Sequence, residues 1–131
     1  MNLKVHHVGY LVKNLEKAIL KFQSLGYEIQ GSCSHDTYRC VDICFLIKDS
    51  YVVELVSPYD SNSVVSSLIK QYKNAPYHIC YSTDNIENTC AELKKEGYVI
   101  MQQSMPAPAI DNKRVVFLMS HVVGIIELVE E

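Results

Sequence analysis

An internal repeat restricts the folds open to this chain more than any other feature of its sequence. When residues 6–29 are shifted by 71 positions they fall on residues 77–100, and seven identical pairs align. The pairs are His7/His78, Tyr10/Tyr81, Asn14/Asn85, Glu16/Glu87, Gly26/Gly97, Tyr27/Tyr98 and Ile29/Ile100. A shift of 73 then aligns the strand-like stretches around Glu54 and Glu127. The sequence is therefore two copies of one plan.

Each copy is predicted to be a βαβββ module. In the first copy, residues 3–12 have the β-branched and aromatic content of a strand, Asn14 caps a helix that runs to Ser24, and Gly26 ends it. The remaining strands of this copy are predicted at 27–31, 38–47 and 51–56. The length suits one domain, 1–131, divided into module one at 1–57, a linker helix at 58–74 and module two at 75–131.

Two connecting segments differ from the rest. The linker has its apolar residues on one helical face, which predicts a helix from about Ser61 to Tyr72. The segment 101–113 contains Pro106 and Pro108 and has no regular periodicity, so it is predicted to be a loop that covers a cavity.

Charge and hydropathy exclude two classes of partner. The net charge is −3 and the longest basic run is Lys94-Lys95, so nucleic acid is not an expected partner. No stretch reaches the roughly 18 apolar residues of a membrane span, and no secretory signal pattern opens the chain. We therefore expect a cytoplasmic protein without a membrane partner.

The five cysteines do not form a motif. They are odd in number and lack a C-x-x-C spacing, which argues against a disulfide framework and against a thiolate zinc site. Most are predicted to be small buried hydrophobic residues. Cys40 and Cys44 are predicted to share one face of a strand.

The repeat selects four polar residues inside apolar strands: His7, Glu54, His78 and Glu127. Such residues are seldom buried without a partner, and two imidazoles with two carboxylates suit a divalent first-row metal with open positions. Nickel, cobalt, manganese, iron and zinc all fit this ligand set. The alternative is that half-exposed strands turn the glutamates to solvent and that each histidine is a satisfied core residue.

Other polar residues are weaker candidates. Strand alternation sends His6 to the face opposite His7, so a structural or surface role is expected for it. Asp36, Tyr38 and Arg39 lie at the entry to a strand and are candidates for substrate binding.

With these residues the chain resembles the vicinal oxygen chelate superfamily. The resemblance implies an α+β fold in which two tandem βαβββ modules form a cupped eight-stranded mixed sheet around a metal held by His7, Glu54, His78 and Glu127. The ligand set is similar to that of bacterial glyoxalase I (lactoylglutathione lyase). The stretches 54–58 and 77–87 are similar to methylmalonyl-CoA epimerases. The same likeness implies a homodimer and favours nickel or cobalt as the metal.

The leading prediction is a glyoxalase I-like lyase/isomerase that acts on the hemithioacetal of a 2-oxoaldehyde. A metal-bound oxygen would acidify the adjacent carbon, and Glu127 or Glu54 would take the proton. The alternative is an epimerase of a methylmalonyl thioester, although Tyr38 stands where epimerases carry a glutamate. Leu11 stands where many glutathione-dependent glyoxalases carry an arginine. A second alternative is a non-catalytic drug-binding protein of the bleomycin-resistance type.

Overall fold

The computed structural model describes residues 1–131, in which ten strands and three α-helices are formed. Parallel and antiparallel strand pairs are both present, so the predicted α+β class with a mixed sheet is confirmed. The chain forms two compact units, which we call the first-half unit (Val8–Pro76) and the second-half unit (Met1–His7 with Tyr77–Glu131). None of the helices combines the length and the apolar character that a membrane span requires.

The first-half unit follows the order βαβββ with one additional short strand. Its elements are β1 (Lys4–Leu11), α1 (Leu15–Ser24), β2 (Glu28–Ile29), β3 (Ser34–Asp36), β4 (Val41–Lys48), β5 (Tyr51–Pro58) and α2 (Ser66–Tyr72). Only the part of β1 from Val8 onward belongs to this unit. The strand order is β2-β4-β5-β1, and β3 pairs with β4. Strands β1 and β5 are parallel, whereas β4 is antiparallel to β5.

Helix α1 begins and ends at the predicted residues. The side chain of Asn14 accepts a hydrogen bond from Lys17 N at 2.9 Å, which caps the first turn. Gly26 has a φ of +101°, a conformation that favours glycine and ends the helix. The apolar face of α1 packs on a buried cluster made of Val12, Cys44, Leu46, Val53 and Leu55.

The second-half unit repeats this arrangement. Its elements are β6 (Ala75–Thr83, from Tyr77 onward), α3 (Ile86–Lys95), β7 (Val99–Ile100), β8 (Met105–Ala107), β9 (Lys113–Ser120) and β10 (Gly124–Glu130). The strand order is β6-β10-β9-β7, with β8 paired to β9. Asn85 caps α3 by accepting a hydrogen bond from Asn88 N at 2.9 Å, as Asn14 does for α1. Strands β3 and β8 are additional to the eight predicted strands.

The linker helix is shorter than predicted. Helix α2 begins at Ser66 rather than near Ser61, and turns occupy residues 61–65. The carbonyl of Asp60 accepts a hydrogen bond from Ser66 Oγ at 2.8 Å, which holds the turns as a compact connection. The apolar periodicity is therefore correct only for the last two turns.

The segment 101–113 has more regular structure than predicted. Strand β8 pairs antiparallel with β9, and a short 3₁₀ helix follows at Pro108–Ile110 with Ile110 buried. Strands β7 and β8 both lie on the side of β9 opposite β10 and form the outer edge. A proline, Pro106, is tolerated there because an edge strand leaves one row of N–H groups unpaired.

Two cysteine predictions were wrong, and the first concerns disulfides, because Cys33 and Cys44 form one. Cys33 directly precedes β3, and the register of β3 on β4 places it opposite Cys44 with a Cα–Cα distance of 4.4 Å. Cys40 does not share the strand face of Cys44, since it lies in the preceding turn with a φ of +55°. Cys80 and Cys90 are buried and form no disulfide, as predicted.

Candidate metal centre

All four repeat-selected residues are buried. Their exposed fractions are 1% for His7, 5% for Glu54, 4% for His78 and 4% for Glu127. The alternative in which the glutamates face solvent is therefore wrong. Three of the four, His7, His78 and Glu127, belong to the second-half unit.

Glu127 lies in the middle of β10 between two paired strands. Its parallel partner on β6 is Cys80, two residues after His78, and its antiparallel partner on β9 is Phe117. The Oε1 atom of Glu127 is 3.2 Å from His7 Nε2 and 3.2 Å from His78 Nε2. The two Nε2 atoms are themselves 3.3 Å apart. Three potential ligand atoms thus form a nearly equilateral triangle inside one unit.

This triangle has the dimensions of a metal coordination site. Ligand atoms about 2.1 Å from one ion are separated by about 3.0 to 3.4 Å in octahedral or tetrahedral geometry. Glu127 Oε1 is inaccessible to solvent and receives no well-directed hydrogen bond, although buried oxygens nearly always do. Two imidazole nitrogens and a carboxylate oxygen at these distances fit a divalent cation.

The charge of Glu127 also suits a ligand. Burial by itself raises the pKa of this carboxyl, but the adjacent imidazoles of His7 and His78 outweigh burial and bring the pKa below its usual value. Glu127 is therefore an ionised carboxylate at neutral pH.

Aromatic rings surround the imidazole of His78. Tyr77 and Phe117 contact this ring edge-on, with centroid separations of 4.4 Å and 5.2 Å. These contacts limit ring rotation, because packed rings resist displacement. The Nε2 atom is thereby kept on the side of Glu127.

His6 contacts the centre, which the sequence did not predict. Its Nδ1 lies 2.8 Å from Nδ1 of His7, and the two rings meet edge-on with centroids 5.0 Å apart. Burial and then the neighbouring His7 ring lower the pKa of His6. The only sequence signal for this contact is the adjacency of the two histidines.

Glu54 is the repeat-selected residue of the first-half unit. It lies on β5 with Gly9 of β1 as its parallel partner and Phe45 of β4 as its antiparallel partner. This is the same register that surrounds Glu127. Gly9 follows His7 by two residues, just as the parallel partner of Glu127 follows His78 by two.

The three candidate substrate residues lie in or beside the turn between β3 and β4. Asp36 is buried and accepts hydrogen bonds from Tyr38 N, Arg39 N and Arg39 Nη1 at 3.0, 2.9 and 2.9 Å. Tyr38 is 70% exposed. Asp36 therefore stabilises the turn and orients the guanidinium of Arg39.

The βαβββ arrangement in each half and the buried histidine–carboxylate cluster define a protein of the glyoxalase-like class. The sequence profile of the Glyoxalase/Bleomycin resistance protein/Dioxygenase superfamily matches residues 6–117. The chain belongs to this superfamily, which corresponds to the vicinal oxygen chelate superfamily expected from the sequence. No curated protein matches the chain.

Solved structures with the same fold include epimerases. A hypothetical protein from Bacillus halodurans is 23% identical, with a TM-score of 0.85 over 100% of this chain and 96% of its own. Methylmalonyl-CoA epimerase from Mycobacterium tuberculosis is 20% identical, with a TM-score of 0.83 over 97% of this chain and 87% of the epimerase. A methylmalonyl-CoA epimerase in complex with methylmalonyl-CoA is 18% identical, with a TM-score of 0.85 over 100% of this chain and 96% of that epimerase. These likenesses confirm the fold.

Proposed function

We propose that this protein is a divalent-metal-dependent enzyme that moves a proton on the carbon next to a thioester carbonyl. The favoured reaction is epimerisation of a 2-substituted acyl thioester such as methylmalonyl-CoA. The observation that carries the proposal is the buried triangle of His7 Nε2, His78 Nε2 and Glu127 Oε1, with edges of 3.2, 3.2 and 3.3 Å.

Glu54 is proposed as the fourth metal ligand because of the repeat. It is buried, and its strand neighbours correspond one by one to those of Glu127. A buried carboxylate flanked by valine and leucine needs a cation or strong donors to offset its desolvation. Nickel and cobalt are the favoured metals, and zinc, manganese and iron are alternatives for this nitrogen–oxygen set.

The chain supplies both the metal site and the proton-transfer groups. When bound, the metal would act as a Lewis acid toward the substrate carbonyl oxygen. Glu127 is proposed to take the C2 proton as a carboxylate, and Glu54, once protonated, would give a proton to the opposite face, since epimerisation needs an acid or base group for each face of a planar carbon. His7 and His78 would hold the metal and take no part in the proton transfer.

Two observations favour epimerisation over the glyoxalase reaction that the sequence placed first. Epimerases with this fold have been solved with acyl-CoA ligands, including 2-nitronate-propionyl-CoA and methylmalonyl-CoA. Leu11, which stands at the arginine position of many glutathione-dependent glyoxalases, is fully buried in the first-half unit. A buried leucine offers no charge to a glutathione carboxylate.

Tyr38 is not assigned a catalytic role. Its side chain is 70% exposed in the turn that precedes β4. A phenol in contact with bulk water is not held against a buried substrate carbon, so the two glutamates carry the proton transfer in this proposal.

The test is isotope exchange at C2 of methylmalonyl-CoA. Protein loaded with nickel or cobalt is incubated with the thioester in D₂O, and loss of the C2 proton is followed by ¹H NMR. We expect exchange with the wild type and a decrease of at least about 100-fold for Glu127→Gln. Glu96→Gln, a substitution on the exposed end of α3, is the matched control and should behave as the wild type.

The same samples distinguish the alternatives. Turnover of methylglyoxal hemithioacetal without C2 exchange would replace the epimerase proposal by the glyoxalase reaction. Absence of bound metal after dialysis against nickel or cobalt would contradict the metal centre and favour the non-catalytic drug-binding alternative. Retention of roughly one ion per chain that is lost in Glu127→Gln would support the proposal.

A further inference from the structure

The imidazoles of His6 and His7 are joined through their Nδ1 atoms at 2.8 Å. Neighbouring side chains of a strand normally point to opposite faces, so this contact requires the His6 ring to turn back along β1. The distance is that of a hydrogen bond with one proton between the two nitrogens. One of the rings therefore donates and the other accepts.

The metal centre determines which ring donates. His7 Nε2 is the atom that faces Glu127 and His78, so it must present a lone pair to a metal. A neutral imidazole carries one proton, and it must then be on Nδ1 of His7. His6 Nδ1 is therefore the acceptor, and the proton of the His6 ring is on its Nε2.

The repeat gives an independent reason to expect a positioning role. The residue that corresponds to His6 is Tyr77, and it contacts the ring of His78 edge-on with centroids 4.4 Å apart. His6 meets the ring of His7 in the same edge-on manner at 5.0 Å. In each half the residue that precedes the metal-facing histidine packs on that histidine. His6 adds a hydrogen-bond acceptor to this contact.

We propose that His6 is a positioning residue that accepts a hydrogen bond from His7 Nδ1 and thereby holds His7 Nε2 ready for the metal. The inference rests on the proposed metal centre and deepens it. Outer-shell partners of this kind fix the tautomer and the orientation of a metal-ligating histidine. Their loss typically weakens metal affinity by about 10-fold to 100-fold.

Two substitutions separate the hydrogen bond from ring packing. His6→Phe keeps an aromatic ring against His7, as Tyr77 does for His78, but removes the acceptor. His6→Asn keeps an acceptor near the position of Nδ1 but removes the ring. Nickel affinity is measured for each by competition with a chromophoric chelator. We expect His6→Phe to bind roughly 10-fold to 100-fold more weakly and His6→Asn to recover most of the loss.

A second readout does not depend on metal. Long-range ¹H–¹⁵N correlation spectra of the metal-free protein report which nitrogen of each histidine carries the proton. Because the carboxylate of Glu127 next to Nε2 competes with His6 for the His7 proton, we expect a larger Nδ1–H fraction of His7 in the wild type and in His6→Asn than in His6→Phe. An unchanged His7 tautomer in His6→Phe overturns the inference.

The outcomes separate the role of His6 from the proposed function. A wild type that binds no nickel contradicts the metal centre, while the tautomer measurement still decides the role of His6. Equal nickel affinity of wild type and His6→Phe overturns the positioning role and leaves the metal centre intact. Cys80→Ser is the third variant, since the Cys80 thiol lies within 4.8 Å of ring nitrogens of His6 and His7. Loss of nickel in Cys80→Ser but not in Glu127→Gln would place the ion on that thiol. This result would overturn both the proposed metal centre and the positioning role of His6.

Discussion

The two units surround their glutamates with the same strand register but with different side chains. In the second-half unit Cys80 lies opposite Glu127, and both histidines of the repeat belong to that unit. In the first-half unit Gly9 lies opposite Glu54, and neither repeated histidine belongs to it. The repeat has kept the backbone plan in both halves, while three of its four polar residues are concentrated in one. The two glutamates therefore need not contribute equally.

The largest expected effect comes from exchanging the two glutamates for glutamine, one at a time. Glu127→Gln should weaken nickel or cobalt affinity by more than about 100-fold, because loss of a direct ligand exceeds the effect of outer-shell partners. Glu54→Gln should weaken this metal affinity by only about 10-fold, since three ligand atoms remain in the second-half unit. Chelator competition measures both. Unchanged affinity of Glu54→Gln would mean that Glu54 is not a ligand.

The disulfide is the next difference between the units, because only the first-half unit contains one. It links residues separated by 11 positions, so its loss in Cys33→Ser should lower the free energy of unfolding by about 2 to 3 kcal/mol. Urea unfolding without reductant measures this change. Cys40→Ser is the matched control because that thiol is free. Equal stability of wild type and Cys33→Ser in non-reducing buffer would show that the disulfide contributes nothing.

The helix caps allow a direct comparison of the same change in both units. Asn14→Ala and Asn85→Ala each remove a side-chain cap worth about 1 kcal/mol. Helix α3 buries four residues whereas α1 has none that is fully buried, so loss of the Asn85 cap should have the larger effect on global unfolding. Loss of the Asn14 cap should mainly increase amide hydrogen exchange in α1. A larger global effect from Asn14→Ala would contradict this ranking.

The smallest expected effect is the pH dependence from a surface ion cluster in the second-half unit. Arg114 donates hydrogen bonds to Glu87 and Glu130. Arg114 is the main cause of the lowered pKa of Glu87, and it adds to the Ile86 N–H in lowering the pKa of Glu130. Because these pKa values are lowered in the folded state, their contribution to stability is present above the unfolded value and is lost as the pH falls below it.

Arg114→Gln should therefore be less stable than the wild type at pH 7, and the difference should shrink at acidic pH. Urea unfolding of both proteins at several pH values from neutral to about 3.5 measures it. Lys95→Gln, which removes a solvent-exposed pair with Glu92, is the control and should show little difference at any pH. A difference that grows as the pH falls would contradict the expected direction.

The repeat made much of the fold and of the site predictable from sequence. A histidine and a glutamate recurring inside apolar strands marked His7, His78 and Glu127 without any geometry, and the structure places them together. The two asparagine caps were predictable because their signal is local and chemical. Because each of these residue types occurs at corresponding positions in both copies, the second copy supported the prediction made from the first.

The disulfide could not be predicted from the sequence, and the reason is physical. Strand β3 consists of Ser34, His35 and Asp36, and such polar residues are typical of a connection rather than a strand. Without that strand there is no register to place Cys33 opposite Cys44. The pairing depends on backbone hydrogen bonds to β4 that three polar residues do not reveal.

The contact of His6 was missed because strand alternation is only an average rule. The alternation predicts the direction of the Cα–Cβ bond, but an imidazole ring extends far enough to turn back toward its neighbour. The linker helix is shorter than its apolar periodicity predicts for a related reason, since a side chain again departs from the average pattern. The hydroxyl of Ser66 donates a hydrogen bond to the carbonyl of Asp60, and the resulting turn competes with helix.

The proline in β8 has a consequence for the behaviour of the protein in concentrated solution. Strands β7 and β8 are two and three residues long, and Pro106 removes a backbone donor from the outer edge that they form. A short, interrupted edge is a poor template for a strand of another molecule. This border of the second-half unit is thereby protected against edge-to-edge aggregation, and any self-association is expected to use side-chain surfaces rather than shared backbone hydrogen bonds.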